Sequence, residues 1–329
     1  MENKRITPLK QLVPSLLLGF IVILGLLLMS GIQNVSLYLI KFNWEFFALA
    51  LGLTFFSNTL RFLKRAFTLR VSGIKGLSFG TSLQLFLASL PLDAAPTRIG
   101  DSLKSLWLFR VVGQPAIRTA SIYLLEQLSD NLSIFLLTAF GVIAYPAYWP
   151  MFVLVLLLFL LATILLRVRH KDVDMAAMGE KLPAYKQFFM ELQTCIDAHP
   201  VLFSSPHLAM TFLLGVVSRA SEGAVFFFVL CGLGMEPTLP LAAASILIYA
   251  FSASIASIAG VPGGMGVVEA SMALLMTVLF DFHPGVAVAA TLLFRLITFW
   301  INLGIGLLVW VASRKKLGLI NGDVHIVES

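Results

Sequence analysis

The sequence predicts an all-α, polytopic integral membrane helical bundle, and three observations carry that prediction. The stretch from Asn131 to Leu166 holds no charged residue and is interrupted only by Tyr145-Pro146-Ala147-Tyr148-Trp149-Pro150. Since about 20 apolar residues cross a hydrocarbon core, this reads as two crossings joined by a Pro-rich turn dressed with interfacial aromatics. Apolar residues make up 59% of the 329-residue chain and charged residues 12%, against roughly 25% charged in a soluble domain. The basic residues behind the net charge of +6 sit at the ends of apolar runs. They therefore report membrane orientation rather than a nucleic-acid partner.

The elements follow in order. Lys4, Arg5 and Lys10 precede the uncharged run Leu12 to Ile32, which is too long for the apolar region of a signal peptide and starts the chain on the cytoplasmic side. A second crossing, Trp44 to Leu60, returns to Arg61, Lys64, Arg65, Arg70 and Lys75, expected as a cytoplasmic basic loop. The next segment, about 77–112, has a short apolar run ending at Pro91, then Asp93, Pro96, Arg98, Asp101 and Lys104. A re-entrant helical hairpin fits it, with the turn Pro91 to Gly100 buried or lining a cavity, because irregular backbone at membrane depth needs protein or water around it.

The crossings that flank Tyr145 to Pro150 come next and return to Arg167, Arg169 and Lys171. Residues 171–205 form the sizeable polar segment, in which Tyr185, Phe188, Phe189, Leu192 and Ile196 at helical spacing predict an amphipathic helix on the cytoplasmic surface. Crossings at His207 to Leu233 and Leu239 to Ala259, a Gly-rich broken helix over about 260–281, and a last span from Gly285 to Ala312 complete one transmembrane domain, 1–329. That gives about eight crossings plus the hairpin. Both termini are cytoplasmic, as expected of a plasma (inner) membrane protein.

Two Pro/Gly-interrupted elements, Pro91 to Asp101 and Gly260 to Glu269, occupy comparable places in the two halves. Such interruptions point to a transporter's central site. The glycines Gly263, Gly264 and Gly266 permit positive φ, and the helix N-terminus after them suits an anion. The same glycines equally let helices pack closely. Ionisable residues expected at membrane depth are Arg98, Asp101, Lys104, Glu126, Asp130, Arg219, Glu222, Glu269 and Arg295. Glu126 and Asp130 share one helical face, as do Arg219 and Glu222. Two readings stand for this set: static interhelical ion pairs, or a hydrated cavity in which Arg98, Arg219 and Arg295 receive an anionic group. Lys104 is expected to snorkel.

These residues resemble a family. Pro96-Thr97-Arg98-Ile99-Gly100-Asp101, then Lys104 and Arg110, then Glu126 and Asp130, then Pro262-Gly263-Gly264-Met265-Gly266-Val267-Val268-Glu269, and finally Arg295 are similar in order and spacing to the transmembrane region of the lysylphosphatidylglycerol synthase/flippase family. The Pro-Gly-Gly-x-Gly-x-x-Glu element is the most specific part. The resemblance implies a domain that moves a lipid or lipid-linked group between leaflets, with Arg98, Gly100, Asp101, Glu126, Asp130, Gly263, Gly264, Gly266, Glu269 and Arg295 along the path. The chain departs from the family pattern at Glu126-Gln127, where Glu-Arg is frequent, and at Asp101 and Lys104, where an acid is often followed by Arg. Two positive charges are changed or missing there.

Other classes are less well served. The polar insert Arg167 to Ser205 is too short for an aminoacyl-tRNA-using acyltransferase domain, no phosphate-binding Gly-x-x-x-x-Gly-Lys-Ser/Thr loop occurs, and the five histidines have no zinc spacing. Cys195 and Cys231 read as packing residues. The expectation is therefore a non-enzymatic, flippase-like translocator of a phospholipid or lipid-linked anionic group, without metal or cofactor and with membrane lipid as its partner. Two alternatives are a secondary transporter for a small anion and a non-catalytic subunit that presents lipid to a separate transferase.

Overall fold

The computed structural model describes residues 8–74, 77–95, 97–113, 116–150 and 200–313, with positions 153, 157, 194 and 197. The return crossing expected after Pro150, the surface helix expected over Ala184 to Ile196, and the basic residues Lys4, Arg5 and Arg314 to Lys316 fall outside them, isolated positions aside. Among the described residues every regular element is a helix: α1 (Pro8–Ser30), α2 (Ile32–Ile40), α3 (Trp44–Val71), α4 (Phe79–Ser89), α5 (Thr97–Val112), α6 (Ala116–Ala144), α7 (Ser205–Gly232), α8 (Leu239–Ala259), α9 (Val267–Leu279), α10 (Pro284–Arg295) and α11 (Ile301–Ser313). Among the described residues six spans are long and apolar enough to cross a membrane, or seven when the bent pair of α1 and α2 is taken as one.

The surface is that of a membrane protein. Phe20, Met29, Phe56, Leu213, Leu274 and Leu308 point outward, while Thr54, Ser57, Ser133, Thr138, Ser218, Ser245, Ser252 and Ser254 are buried. Lipid tails are as apolar as leucine, so helices associate through close packing and interhelical hydrogen bonds. Both are present. A Cβ on Gly141 would stand 2.7 Å from Leu247, and one on Gly215 would stand 2.6 Å from the Ser133 hydroxyl. The hydroxyls of Ser57 on α3 and Ser218 on α7 meet at 3.0 Å, and Ser129 on α6 donates to the Thr211 carbonyl at 2.9 Å.

Three features differ from the sequence expectation. The first crossing does not end as a straight helix: at Gly31, φ 78°, the chain turns through 94° into α2. Second, α3 does not stop at Leu60; it continues through Arg61, Lys64 and Arg65 to Val71, and the last two are buried inside the bundle instead of lying in a loop. Acids on neighbouring helices make that continuation favourable. Third, the last span is not one uniform α-helix, since a π turn, Leu296–Trp300, separates α10 from α11. Within the Gly-rich element, α9 starts at Val267, after a separate 3₁₀ turn Pro262–Gly264.

Between α4 and α5 a 3₁₀ turn, Leu90–Ala94, folds the chain back on itself, and Leu90, Pro91, Leu92, Ala94 and Ala95 are all buried. Its tightness is steric. A Cβ on Gly100 would sit 2.4 Å from the Leu92 carbonyl oxygen, and one on Gly306 would sit 2.5 Å from Pro91. Thus α5 and α11 both press on this turn at positions where only glycine fits.

At one end of the bundle the helices are tied together by backbone and tyrosine hydrogen bonds. Asn43 N–H donates to the Gly232 carbonyl at 2.9 Å, Tyr145 hydroxyl to Pro240 at 2.8 Å, and Tyr148 hydroxyl to Leu279 at 2.7 Å. This end fixes a common origin for depth. At 1.5 Å per residue, Glu222, Tyr249 and Glu269 lie roughly 15 Å along their helices from it, Asp130 about 21 Å and Arg61 about 25 Å. Glu222, Glu269, Asp130 and Arg61, on four separate helices, therefore lie within their helices, roughly 15 to 25 Å from this end.

Candidate functional site

The larger group of charges joins α3, α6 and α7. Asp130 on α6 receives Lys64 of α3 and, at 3.3 Å, Nη2 of Arg219 on α7. Arg219 also donates from Nη1 to Glu222 at 3.1 Å, one turn along the same helix. The same Glu222 oxygen accepts from the Tyr249 hydroxyl of α8, while its other oxygen accepts from Ser57 at 3.4 Å and lies 3.9 Å from Arg61 Nη1. Beside this set, Arg65 forms a two-pronged contact with Glu126, Nε at 3.3 Å and Nη2 at 3.0 Å, and donates to Ser89 at 3.2 Å. Its guanidinium also stacks over Tyr123 and Phe86, 4.8 and 5.2 Å from the ring centroids. Charged groups cost about 2.5–3.5 kcal/mol each at a helix centre when unpaired. Here each acid holds a base, which is why three helices can carry them.

The second group sits at the Gly-rich break. Gly260 closes α8 in the left-handed conformation, and Gly263, Gly264 and Gly266 all have positive φ, between 59° and 82°. The sharp path exposes the first N–H groups of α9, and Glu269 folds back to accept the Gly266 N–H at 2.7 Å. Its other oxygen receives Arg295 Nε at 2.6 Å. Arg295 in turn donates Nη2 to the Gly263 carbonyl at 3.0 Å and lies over the Phe299 ring at 4.4 Å. Glu269 is 1% exposed and Arg295 6%. The anion at this helix start is thus the protein's own carboxylate.

The two breaks touch. A Cβ on Gly263 would stand 3.4 Å from the Cα of Ala94, and Ala94, Ala95, Met265 and Leu303 form one small apolar cluster. Asp93, next to Ala94, pairs with Lys104 at 2.5 Å and lies within electrostatic reach of Arg61 and Arg65. Arg61 and Asp93 thus lie on the near side of the contact of the breaks and Arg295 on the other, with the apolar cluster between them.

Of the residues chosen from sequence, Glu126, Asp130, Arg219 and Glu222 gather in the first group, and Gly263, Gly264, Gly266, Glu269 and Arg295 in the second. Gly100 supports the hairpin turn. Arg98 and Asp101 lie on α5, and their side chains are outside the described residues. Lys104 does not snorkel as expected; it reaches Asp93, a residue left out of the sequence-based set. Arg61, Lys64, Arg65 and Tyr249 were also missed as site residues. Ser57, Arg61, Lys64, Arg65 and Thr68 share one face of α3, and all but Arg61 are buried. Lys64 and Arg65 supply positive charge beside Asp130 and Glu126, where the sequence reading found one missing.

No curated protein matches the chain. The family model for the lysylphosphatidylglycerol synthase TM region matches residues 16–306. That match spans both breaks and both ion-pair groups, so this multi-pass membrane protein belongs to the lysylphosphatidylglycerol synthase TM region family.

Proposed function

We propose that the chain translocates a phospholipid or lipid-linked anionic group between leaflets, its headgroup moving past the two ion-pair groups while the acyl tails stay in lipid. The observation that supports this reading most is the convergence of acids and bases inside the helix bundle beside two helix breaks in contact, in a family of lipid-related membrane proteins. A headgroup phosphate that shares a guanidinium with its resident carboxylate, through N–H donors the carboxylate does not use, leaves neither charge bare in hydrocarbon, and the cost of entry stays below that of an unpaired charge. The closed pairs are the resting arrangement, and substrate binding shifts the population toward open ones.

In this reading the protein sits in the plasma (inner) membrane with both termini cytoplasmic, and Arg61, Lys64 and Arg65 act inside the bundle rather than as an orientation signal. The 77–112 hairpin is re-entrant and forms one wall of the path. The chain performs transport without a catalytic step, and a separate transferase that makes or consumes the lipid is its natural partner class. The test is translocation of a labelled phospholipid by the purified chain in proteoliposomes. Glu269→Gln and Arg98→Ala are expected to slow it, and unchanged rates in both variants would remove the path assigned here.

A further inference from the structure

The two breaks meet beneath α1. Leu16 packs on the cluster of Ala94, Ala95, Met265 and Leu303, where the breaks touch. One turn further on, the helix lies against the Gly-rich break itself: a Cβ on Gly19 would stand 3.2 Å from the Met265 Cβ, and one on Gly266 would stand 2.9 Å from Val22. Gly19 alone among the described residues of α1 is buried. Leu17, Phe20, Ile21, Leu24 and Leu28 face outward. One layer of α1 therefore separates the Gly-rich break from lipid.

This layer is attached differently from the other spans. Between Leu16 and Ser30 the one polar side chain is Ser30, which donates to the Leu26 carbonyl of its own helix at 2.7 Å. By contrast, Ser257 on α8 donates to Asn131 on α6 at 3.2 Å, Asn58 on α3 donates to Asn302 on α11 at 2.8 Å, and α9 and α10 share the pair of Glu269 and Arg295. Lifting any of those spans breaks a polar contact in hydrocarbon. Lifting the Leu16 end of α1 exchanges apolar protein surface for apolar lipid chain, because lipid tails pack on leucine as leucine does. The other end stays fixed. Leu26 and Leu27 pack against the main core, and beyond the 94° corner at Gly31 the side chain of Val35 on α2 is 1% exposed. Gly31, φ 78°, has no Cβ to restrict a change of angle at that corner.

We infer that α1 is a lateral gate: it pivots about Gly31, and the slot it opens along Met265 and Gly266 takes one acyl chain of a phospholipid whose headgroup stands at the breaks. This rests on the translocator reading for the passage of the headgroup and adds the route by which a lipid reaches it. The lining of the slot defines its ligand. Met265, Ala94 and Leu303 are apolar, and the Gly266 N–H is already engaged by Glu269 at 2.7 Å. The slot therefore suits hydrocarbon and leaves the headgroup to the ion pairs.

The test uses the full-length chain in proteoliposomes, with both native cysteines changed to alanine and with Gly19→Cys and Met265→Cys, whose Cβ atoms stand close enough for a disulfide. Oxidation should abolish translocation of a labelled phospholipid, and reduction should restore it. A rate indifferent to oxidation overturns the gate and leaves the translocator reading in place. A phosphatidylglycerol with a diazirine on its acyl chain gives a readout without transport: it should label the segment from Val261 to Ala270 in the reduced protein, and oxidation should remove that label. Labelling that oxidation leaves unchanged overturns the gate. Labelling lost on oxidation, with no translocation in either state, keeps the gate and ends the translocator reading. Because substitutions at Gly19 and Met265 alter the packing itself, a second measurement leaves both intact. Spin labels on Phe20→Cys and Leu274→Cys, two outward-facing positions, should report two distances in detergent, with the longer one favoured by added phosphatidylglycerol. A single distance under both conditions overturns the gate.

Discussion

Replacing Arg295 by methionine isolates the energetic role of the pair at the Gly-rich break. Methionine keeps much of the side-chain length and removes the guanidinium, so Glu269, 1% exposed, loses the donor at 2.6 Å. Stripping one partner from a buried pair costs about 3–5 kcal/mol because the other charge is stranded. The Gly263 carbonyl also loses its donor at 3.0 Å, about 1 kcal/mol for an ordinary hydrogen bond. The expected destabilisation is therefore about 4–6 kcal/mol, a large share of a typical folding stability. The double variant Arg295→Met with Glu269→Gln strands no charge, and the glutamine oxygen can still accept the Gly266 N–H, so most of the loss should return. Denaturant unfolding in detergent, followed by tryptophan fluorescence, measures both. If Arg295→Met lies within about 1 kcal/mol of the parent chain, or if the double variant is no more stable than the single one, the pair does not hold the break as described.

Two further outcomes are expected from the same assay. Arg65→Met should destabilise more than Lys64→Met, since Glu126 keeps no other base within 4 Å among the described residues, whereas Asp130 keeps Arg219 at 3.3 Å; the reverse order would contradict the pairing. Gly100→Ala should weaken the fold by more than about 2 kcal/mol through backbone overlap, with the added methyl 2.4 Å from the Leu92 oxygen, while Gly80→Ala, which meets nothing within 4 Å, should be neutral or slightly stabilising.

The residues that were legible in the sequence share one property: their chemistry is local. Pro262 through Glu269 announces a break because glycine and proline act on their own backbone, and Glu126 with Asp130 or Arg219 with Glu222 lie on one face by helical spacing alone. Arg61, Lys64 and Arg65 were misassigned because a basic residue at the end of an apolar run looks the same whether the helix stops there or continues inward. Only the acids of α6 and α7, brought alongside by tertiary packing, decide which. The Tyr249 contact with Glu222 and the shared Arg219 depend on that packing too. Neither the sharp corner at Gly31 nor the π turn at Leu296–Trp300 could be read, since many membrane helices carry a single glycine and a π turn leaves no compositional mark.

The span Pro284–Ser313 meets one interrupted element with its first half, through Arg295 and the Gly263 carbonyl, and the other with its second half, where Gly306 sits under Pro91. A π turn holds more residues than an α turn, so it rotates everything after it about the helix axis. The surplus residue between Leu296 and Trp300 thus sets the phase between the two contacts. Deleting it would swing Gly306 by about 100° and present a side chain to Pro91 instead. One rod is geared to both hinges, and neither can turn by itself.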